Sequence, residues 1–394
     1  MKYLCSLAMT TIAFASVSFP VLVLASSWPQ SFQNNQRNAY VGEFSYGDLI
    51  VPDKNITPTL PYTNFKMPIS ADGINYFFEE SRTQEIWIAY AIERASNTEI
   101  WRTSGSGLIN STPVLSGKTL IIPSKKLVAL NIENGETLWQ FSDDANYRFW
   151  YPLVEGDKVY AIRRYSSGGS NGYIYSLELS SGVMNWRTYL SAYGVTELSY
   201  YNESLIATTS DTTNYTTIGR YSVLNGSLLW SSVRFSSNFT SPTVIDSDNG
   251  LGLYSNAGGV VNAINLSDGS LSYAAGNGTT ATVPVLRDNK AYFLTLNKNK
   301  TWLNSFDYVT KSALQKWEVA PNSVTTYRTQ PLYLAGKIWF PTINGELWRF
   351  DVVSNELEKF PVGKNNDYLT NLLIADDQIV LANQDLNKIW SMSS

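Results

Sequence analysis

Apolar residues along this chain come in short runs, alternating or solid, and each run is cut by Gly, Asn, Asp or Ser. That is strand and hairpin patterning. Alternation sends successive side chains to opposite faces of a sheet, and Asn-Gly or Ser-Gly supplies the positive-φ residues of a tight turn. One unit recurs: a strand such as Leu127 to Asn131, a turn, then an aromatic a few residues on. Its endings run from Ser96-Asn97 to Trp101, Asn134-Gly135 to Trp139, Ser181-Gly182 to Trp186 and Asn225-Gly226 to Trp230. Asp268-Gly269 to Tyr273, Thr310-Lys311 to Trp317 and Ser354-Asn355 to Phe360 continue the series. Successive closing aromatics lie 38 to 47 positions apart. A period of that size with several strands per unit predicts the blades of an all-β propeller, each made of four antiparallel strands.

A second feature counts the units independently. A hairpin between the first two strands of a unit is expected at Asp72-Gly73, Ser116-Gly117, Glu155-Gly156, Asn202-Glu203, Asp248-Asn249-Gly250, Asp288-Asn289, Ala335-Gly336 and Asp376-Asp377. These turns number eight against seven closing aromatics. The last unit, Asn371 to Met392, ends after its third strand, Lys388 to Met392. Eight blades are therefore expected, with seven as the alternative, the ring being closed by an N-terminal strand read at Tyr40 to Val51. The repeat aromatics are read as packing between neighbouring blades, because one sheet cannot cover both its faces alone.

The first 25 residues read as a signal peptide: Lys2, an apolar run from Leu4 to Leu24, and Val23 and Ala25 before Ser26. Residues 26–394 then form a single propeller domain, with no transmembrane segment once the signal is removed. No Cys follows the apolar run, so the lipid-attachment pattern of bacterial lipoproteins is missing, and a periplasmic or secreted location is expected. The only cysteine is Cys5, and there is no histidine. Those two facts remove the commonest general base, imidazole-dependent triads and the usual zinc, iron–sulfur and haem sites. Neither a cofactor nor a metal is expected, and the chain is read as a non-enzyme. A formal net charge of −4 without any long basic run argues against nucleic acid and anionic membrane surfaces as partners.

The unit endings resemble the quinoprotein-type propeller repeat, in which a strand runs into Asp-x-x-x-Gly-x-x-x-Trp. Val128 to Trp139 is the best copy, with Ile174 to Trp186 and Val261 to Tyr273 close behind. The quinone-dependent dehydrogenases of that family use a quinone and a calcium ion, usually with an adjacent-cysteine disulfide and a catalytic Asp. This chain has no cysteine pair, and no carboxylate–Asn calcium set maps onto it. The other branch is similar in length and unit number: the non-enzymatic propeller subunits of the outer-membrane protein assembly machine. That resemblance implies an exported scaffold binding an envelope protein. Two departures weaken it, the missing lipid-accepting Cys and an uncharged Thr188 to Val195 where that branch carries a Leu- and Arg-containing loop. A secreted carbohydrate-binding or adhesive propeller and a degenerate quinoprotein are the alternatives.

Candidate sites are few. Asp246-Ser247-Asp248-Asn249-Gly250 resembles a calcium loop but falls where the other units have their first hairpin, and is read as a turn. Arg163-Arg164-Tyr165 followed by Ser166 to Gly172 is read as an extended solvated hairpin. Segments that link one unit's outer strand to the next unit's inner strand should emerge on one face. They hold Tyr147, Arg148, Phe149 and Trp150, then Tyr189 with Tyr193, then Phe239, then Tyr327 with Arg328. Tyr, Trp and Arg are enriched at protein-binding hot spots, so these residues form the candidate partner surface, with rim packing between blades as the other reading.

Overall fold

A computed structural model describes residues 40–41, 51–56, 63–66, 68–93, 95–143, 147–165, 171–191, 194–195, 197–211, 215–232, 234–236, 241–297, 300–321, 330–342, 344–362, 369–375, 378–383 and 389–393. The expected signal peptide lies outside them. Among the described residues every element is a strand, and these strands pair into eight sheets. In chain order these are sheet 1 (63–106), sheet 2 (114–141), sheet 3 (147–191), sheet 4 (194–236), sheet 5 (244–275), sheet 6 (280–321), sheet 7 (332–361) and sheet 8 (369–393). Within each, successive hairpins pair antiparallel from the innermost strand outward, and in sheets 1, 4 and 6 the innermost strand is in two pieces, Thr63–Phe65 with Ile69–Ala71, Gly194–Val195 with Ser199–Tyr200, and Thr280–Ala281 with Val285–Arg287. Strand Leu369–Ala375 of sheet 8 lies beside strands of both sheet 7 and sheet 1, so first and last sheets meet. The fold is an all-β propeller.

The turn chemistry explains the hairpins. The first turns of sheets 1 to 7 all hold positive-φ residues: Asp72 and Gly73, Gly117, Gly156, Asn202 and Glu203, Gly250, Asp288 and Asn289, and Ala335 and Gly336. The Asp246 to Gly250 segment is thus a turn, its Asp246 carboxylate accepting the Asp248 and Asn249 amides. The eighth expected hairpin, at Asp376-Asp377, lies outside the described residues.

Neighbouring sheets are joined by the repeat aromatics. Trp101 Nε1 donates to the Ile132 carbonyl of sheet 2 (2.5 Å), Trp139 to Leu179 of sheet 3 (2.7 Å), Trp186 to Val223 of sheet 4 (2.8 Å) and Trp230 to Leu266 of sheet 5 (2.9 Å). Each accepting carbonyl stands three residues before the repeat glycine of the same turn. Those glycines, Gly135, Gly182, Gly226 and Gly269, have φ of 72°, 70°, 73° and 76°, and a Cβ on any of them would lie 2.5–2.7 Å from the preceding tryptophan ring or, at Gly226, 2.2 Å from Thr188. One glycine thus serves the turn and seats the neighbour's indole. In sheet 6 the pattern relaxes: Tyr273 replaces Trp, its hydroxyl donating to Ser312 O at 3.0 Å, and Lys311 with φ 59° replaces Gly. Trp317 meets the Phe350 ring at 5.3 Å, and Asn355 takes the glycine position of sheet 7.

The closing strand differs from the expected one. Sheet 8 is completed by Val51–Ile56, antiparallel to Ile389–Ser393, so of the expected strand Tyr40 to Val51 only its last residue takes part in the closing pairing. Tyr40–Val41, at its other end, pairs with Tyr333 and Leu334 of sheet 7, and residues 42–50 lie outside the described residues. The pairing that decides this is between segments more than 290 positions apart, beyond the reach of local pattern.

Gly182→Ala should destabilise the fold by about 2–4 kcal/mol, combining a left-handed backbone penalty with a Cβ pushed into Trp139. Gly336→Ala, with φ 79° but nothing within 4 Å of the new Cβ, should cost only about 1 kcal/mol. Chemical denaturation of both variants checks the difference; equal losses would show that Trp139 does not sense the glycine.

Candidate functional site

Sheets 2, 5 and 7 begin with inner strands of three residues, whereas the inner strand of sheet 3, Tyr147–Glu155, has nine. Its partners Lys158–Tyr165, Asn171–Glu178 and Met184–Ser191 have eight each. At about 3.3 Å per residue, sheet 3 therefore extends well past sheet 2 at the end where inner strands start. A bulge makes the extension possible: the register shifts between Trp150 and Leu153, and Tyr151 sits at φ 51°. Its amide donates to Ser111 Oγ of the preceding segment (2.6 Å).

Register alternation sorts the side chains of this extension. Tyr147 faces Tyr165, Phe149 faces Arg163, Arg163 faces Tyr173, Tyr175 faces Arg187 and Tyr173 faces Tyr189. All of them share one face. Phe149 is 0% exposed and joins the core between sheets 2 and 3. Trp150, on the opposite face, packs toward sheet 4 with Leu153, Ile162 and Leu198, the Arg164 guanidinium lying 5.6 Å from its ring centroid. Arg148 is half-buried. The predicted stretch Tyr147 to Trp150 is thus the first half of a strand and not a linker, and its four side chains do three different things.

The face is held by a charge clasp. Arg163 is only 2% exposed, and its Nη1 donates to Asp143 Oδ2 at 2.9 Å and to Tyr175 Oη at 3.0 Å. Asp143 follows the outer strand of sheet 2, so this pair ties the two sheets together. The same Oδ2 accepts from the Tyr175 hydroxyl (2.5 Å) and from Arg187 Nη1 (2.6 Å). The Tyr147 ring covers the Arg163 guanidinium, 4.4 Å from its centroid. The Tyr175 hydroxyl and the two guanidinium groups hold the Asp143 carboxyl below the usual carboxylate range.

Above the clasp the rings pack edge to face: Tyr147 on Tyr165 at 5.3 Å, Tyr147 on Tyr173 at 6.3 Å and Tyr173 on Tyr189 at 5.4 Å. Tyr165 is 40% exposed and Tyr189 51%. At the same end of sheet 4 a smaller version recurs: Arg234 pairs with Asp211 and lies 4.2 Å from the Tyr215 ring centroid, with Tyr215 exposed. The structure thus presents a rigid aromatic platform whose arginines are internally paired. It offers ring faces and hydroxyl groups for contact.

Of the expected surface residues, Tyr147 and Tyr189 belong to this platform, while Phe149 and Trp150 are packing residues. Tyr193, Phe239, Tyr327 and Arg328 lie outside the described residues. Sequence reading missed Asp143, Arg163, Tyr165, Tyr173, Tyr175 and Arg187 as members. The signal for some of them was present, since period-two spacing puts Arg163 with Tyr165 and Tyr173 with Tyr175 on one face. Among the described residues no three His, Cys, Asp or Glu side chains converge as a metal site. The buried carboxylates Glu79 and Glu80 are bonded to Tyr90 and to Lys66, the latter at 3.1 Å.

The fold and its repeat define a quinoprotein-type propeller. Residues 88–169 and 148–356 match the family described as outer membrane protein assembly factor BamB, and the chain belongs to that family. Among solved structures it is similar to BamB from Moraxella catarrhalis, 14% identical over 88% of this chain and 100% of that one, with a TM-score of 0.61. A europium-containing methanol dehydrogenase is 10% identical over 94% of this chain and 98% of its own, with a TM-score of 0.67. A computationally designed protein, Ika8, is 11% identical over 86% and 98%, with a TM-score of 0.64. An assembly factor, a dehydrogenase and a design share this fold, so the fold alone does not select an activity. No curated protein matches the chain in sequence.

Asp143→Ala leaves Arg163 buried without its carboxylate and should cost about 2–4 kcal/mol of stability. Arg187→Ala, removing a side chain 48% exposed, should cost less than about 1 kcal/mol. Because the Asp143 carboxyl titrates lower in the folded than in the unfolded chain, its contribution is complete above the unfolded value, near pH 4. It is lost as pH falls through the folded value. Asp143→Asn should therefore flatten the acid limb of a stability–pH curve; an unchanged limb would remove Asp143 from the clasp.

Proposed function

We propose that this protein is an exported, non-enzymatic scaffold of the cell envelope that captures a protein partner on the aromatic platform of sheet 3. The observation carrying this reading is the cluster of exposed Tyr165 and Tyr189 around half-buried Tyr173, set on the Asp143–Arg163 clasp. Exposed aromatic side chains are ordinarily expensive to leave in water, and here they are held rigid in advance, so little side-chain entropy is lost when a partner covers them. Membership of the assembly-factor family supports the envelope setting and the scaffold role. Export through the leader at residues 1–25, with the mature chain in the periplasm or secreted and not lipidated, is part of the same proposal.

Exposed tyrosine rings also stack on sugars, which makes carbohydrate the competing ligand class. Crosslinking in intact cells, with the wild-type chain and a Tyr165→Ala/Tyr189→Ala double variant, separates the readings. The wild type should yield a discrete protein adduct that the double variant loses at least tenfold, with stability changed by less than about 1 kcal/mol. Undiminished capture would overturn the assignment of the platform. Binding on a glycan array that the double variant abolishes, without a protein adduct, would reassign it to carbohydrate.

A further inference from the structure

In a propeller the innermost strand of each sheet turns one backbone edge toward the central channel. Such an edge carries unpaired N–H and C=O groups and is a template for another strand. Several sheets here keep that edge short, with three residues each at Val114–Ser116, Val244–Asp246, Val285–Arg287 and Leu332–Leu334. A proline, which has no N–H to leave unpaired, stands just before three of them, at Pro113, Pro284 and Pro331. Side chains bridge other gaps between neighbouring inner strands. Ser199 Oγ donates to Thr243 O (2.5 Å), and Gln330 Nε2 donates to Pro284 O (2.7 Å).

Sheet 7 carries something more. Its order is Tyr40–Val41, Leu332–Leu334, Lys337–Pro341, Glu346–Asp351, Leu357–Pro361, so a fifth strand sits on the channel side of the innermost one. Tyr40 is opposite Tyr333 and Val41 opposite Leu334, and the two strands run parallel. The added strand also approaches Val285–Arg287, the inner strand of sheet 6. All other pairs among the described residues are antiparallel, as successive hairpins require. A parallel neighbour cannot come from a hairpin and has to be delivered by a distant part of the chain.

We infer that the channel-side edge of sheet 7 is a peptide-binding edge, and that its resident occupant is this chain's own segment around Tyr40–Val41. Recognition is by backbone addition to a sheet edge, with an extended segment running parallel to Leu332–Leu334. The segment is tethered to sheet 8 through Val51–Ile56, so its effective concentration at the edge is of the order of millimolar. It therefore outcompetes free peptides for this edge. The channel is a site already held by a strand, and a ligand that needs it must first displace that strand. None of these residues belongs to the aromatic platform of sheet 3, so the inference stands or falls separately from the proposed function.

Hydrogen exchange on the full-length chain tests it. In the Tyr40→Pro/Val41→Pro double variant the added strand has no amide left to donate, and the Tyr333 amide, which the hairpin register turns toward that strand, should exchange at least tenfold faster. Amides of Leu332, Leu334 and residues 337–340, which pair within the hairpin, should change less than twofold. A synthetic peptide of residues 36–46 should restore slow exchange to the variant and leave the unsubstituted chain unaffected. Equal exchange at Tyr333 in both chains, or equal rescue by a scrambled peptide, would overturn the inference. Independently of the prolines, a short dithiol-reactive crosslinker should join Tyr40→Cys to Tyr333→Cys and should not join Tyr40→Cys to Tyr200→Cys on the inner strand of sheet 4. Joining both pairs equally would also overturn it.

Discussion

A four-stranded sheet has two apolar faces, and in this chain neither can be covered except by another copy of the same unit. The contact that solves this is the indole of one sheet lying on the glycine of the next, with its Nε1–H donated to a carbonyl three residues upstream of that glycine. Direction follows from it, since each tryptophan reaches only forward along the chain, from sheet 1 to 2, 2 to 3, 3 to 4 and 4 to 5. A buried donor finds its acceptor, and a residue with no Cβ accepts both the turn conformation and the ring. Where Tyr273 replaces tryptophan, Lys311 occupies the glycine position. At the next junction Trp317 is kept while Asn355 takes that position, and the indole packs against Phe350, so the glycine and the ring vary separately.

That repeated contact sets the distance between sheets but not their height. Sheet 3 is taller than sheet 2, and the part that stands above its neighbour has no sheet there to cover it. The chain deals with the exposed face by seating a buried arginine on aromatic rings and pairing it with an aspartate borrowed from the segment after sheet 2. Tyr147, Tyr165, Tyr173 and Tyr189 then lock one another edge to face at the surface. The bulge at Tyr151, with its strained backbone, is where the tall part departs from the regular repeat. The platform is the part of sheet 3 that stands beyond the shorter strands of sheet 2.

Family membership and the likeness to solved structures agree with the geometry without extending it. An assembly factor from Moraxella catarrhalis and a methanol dehydrogenase resemble the chain to a similar degree at 10–14% identity. The segments of this chain that the repeat does not specify are the extended end of sheet 3, its smaller counterpart at Asp211, Tyr215 and Arg234 on sheet 4, and the strand added on the channel side of sheet 7.

The repeat itself was fully legible in the linear chain. Strand runs, hairpin turns and closing aromatics depend on neighbours a few residues apart, and positive φ at Gly73, Gly117, Gly156 and Gly336 follows from local turn geometry. From that information come the all-β class, the propeller architecture and the role of Trp101, Trp139, Trp186 and Trp230. The candidate surface was legible only in part. Tyr147 and Tyr189 were named, but with Phe149 and Trp150, which alternation sends into two different cores. Asp143 gave no local sign of its role, because its partners Arg163, Tyr175 and Arg187 lie 20 to 44 positions away. The closing strand was misplaced for the same reason. Which N-terminal residues pair with Ile389–Ser393 and which with Leu332–Leu334 is decided by edges that exist only once the ring has formed. Short-range pattern determined the unit, and only the closed tertiary structure decided which of its edges and faces were left to fill.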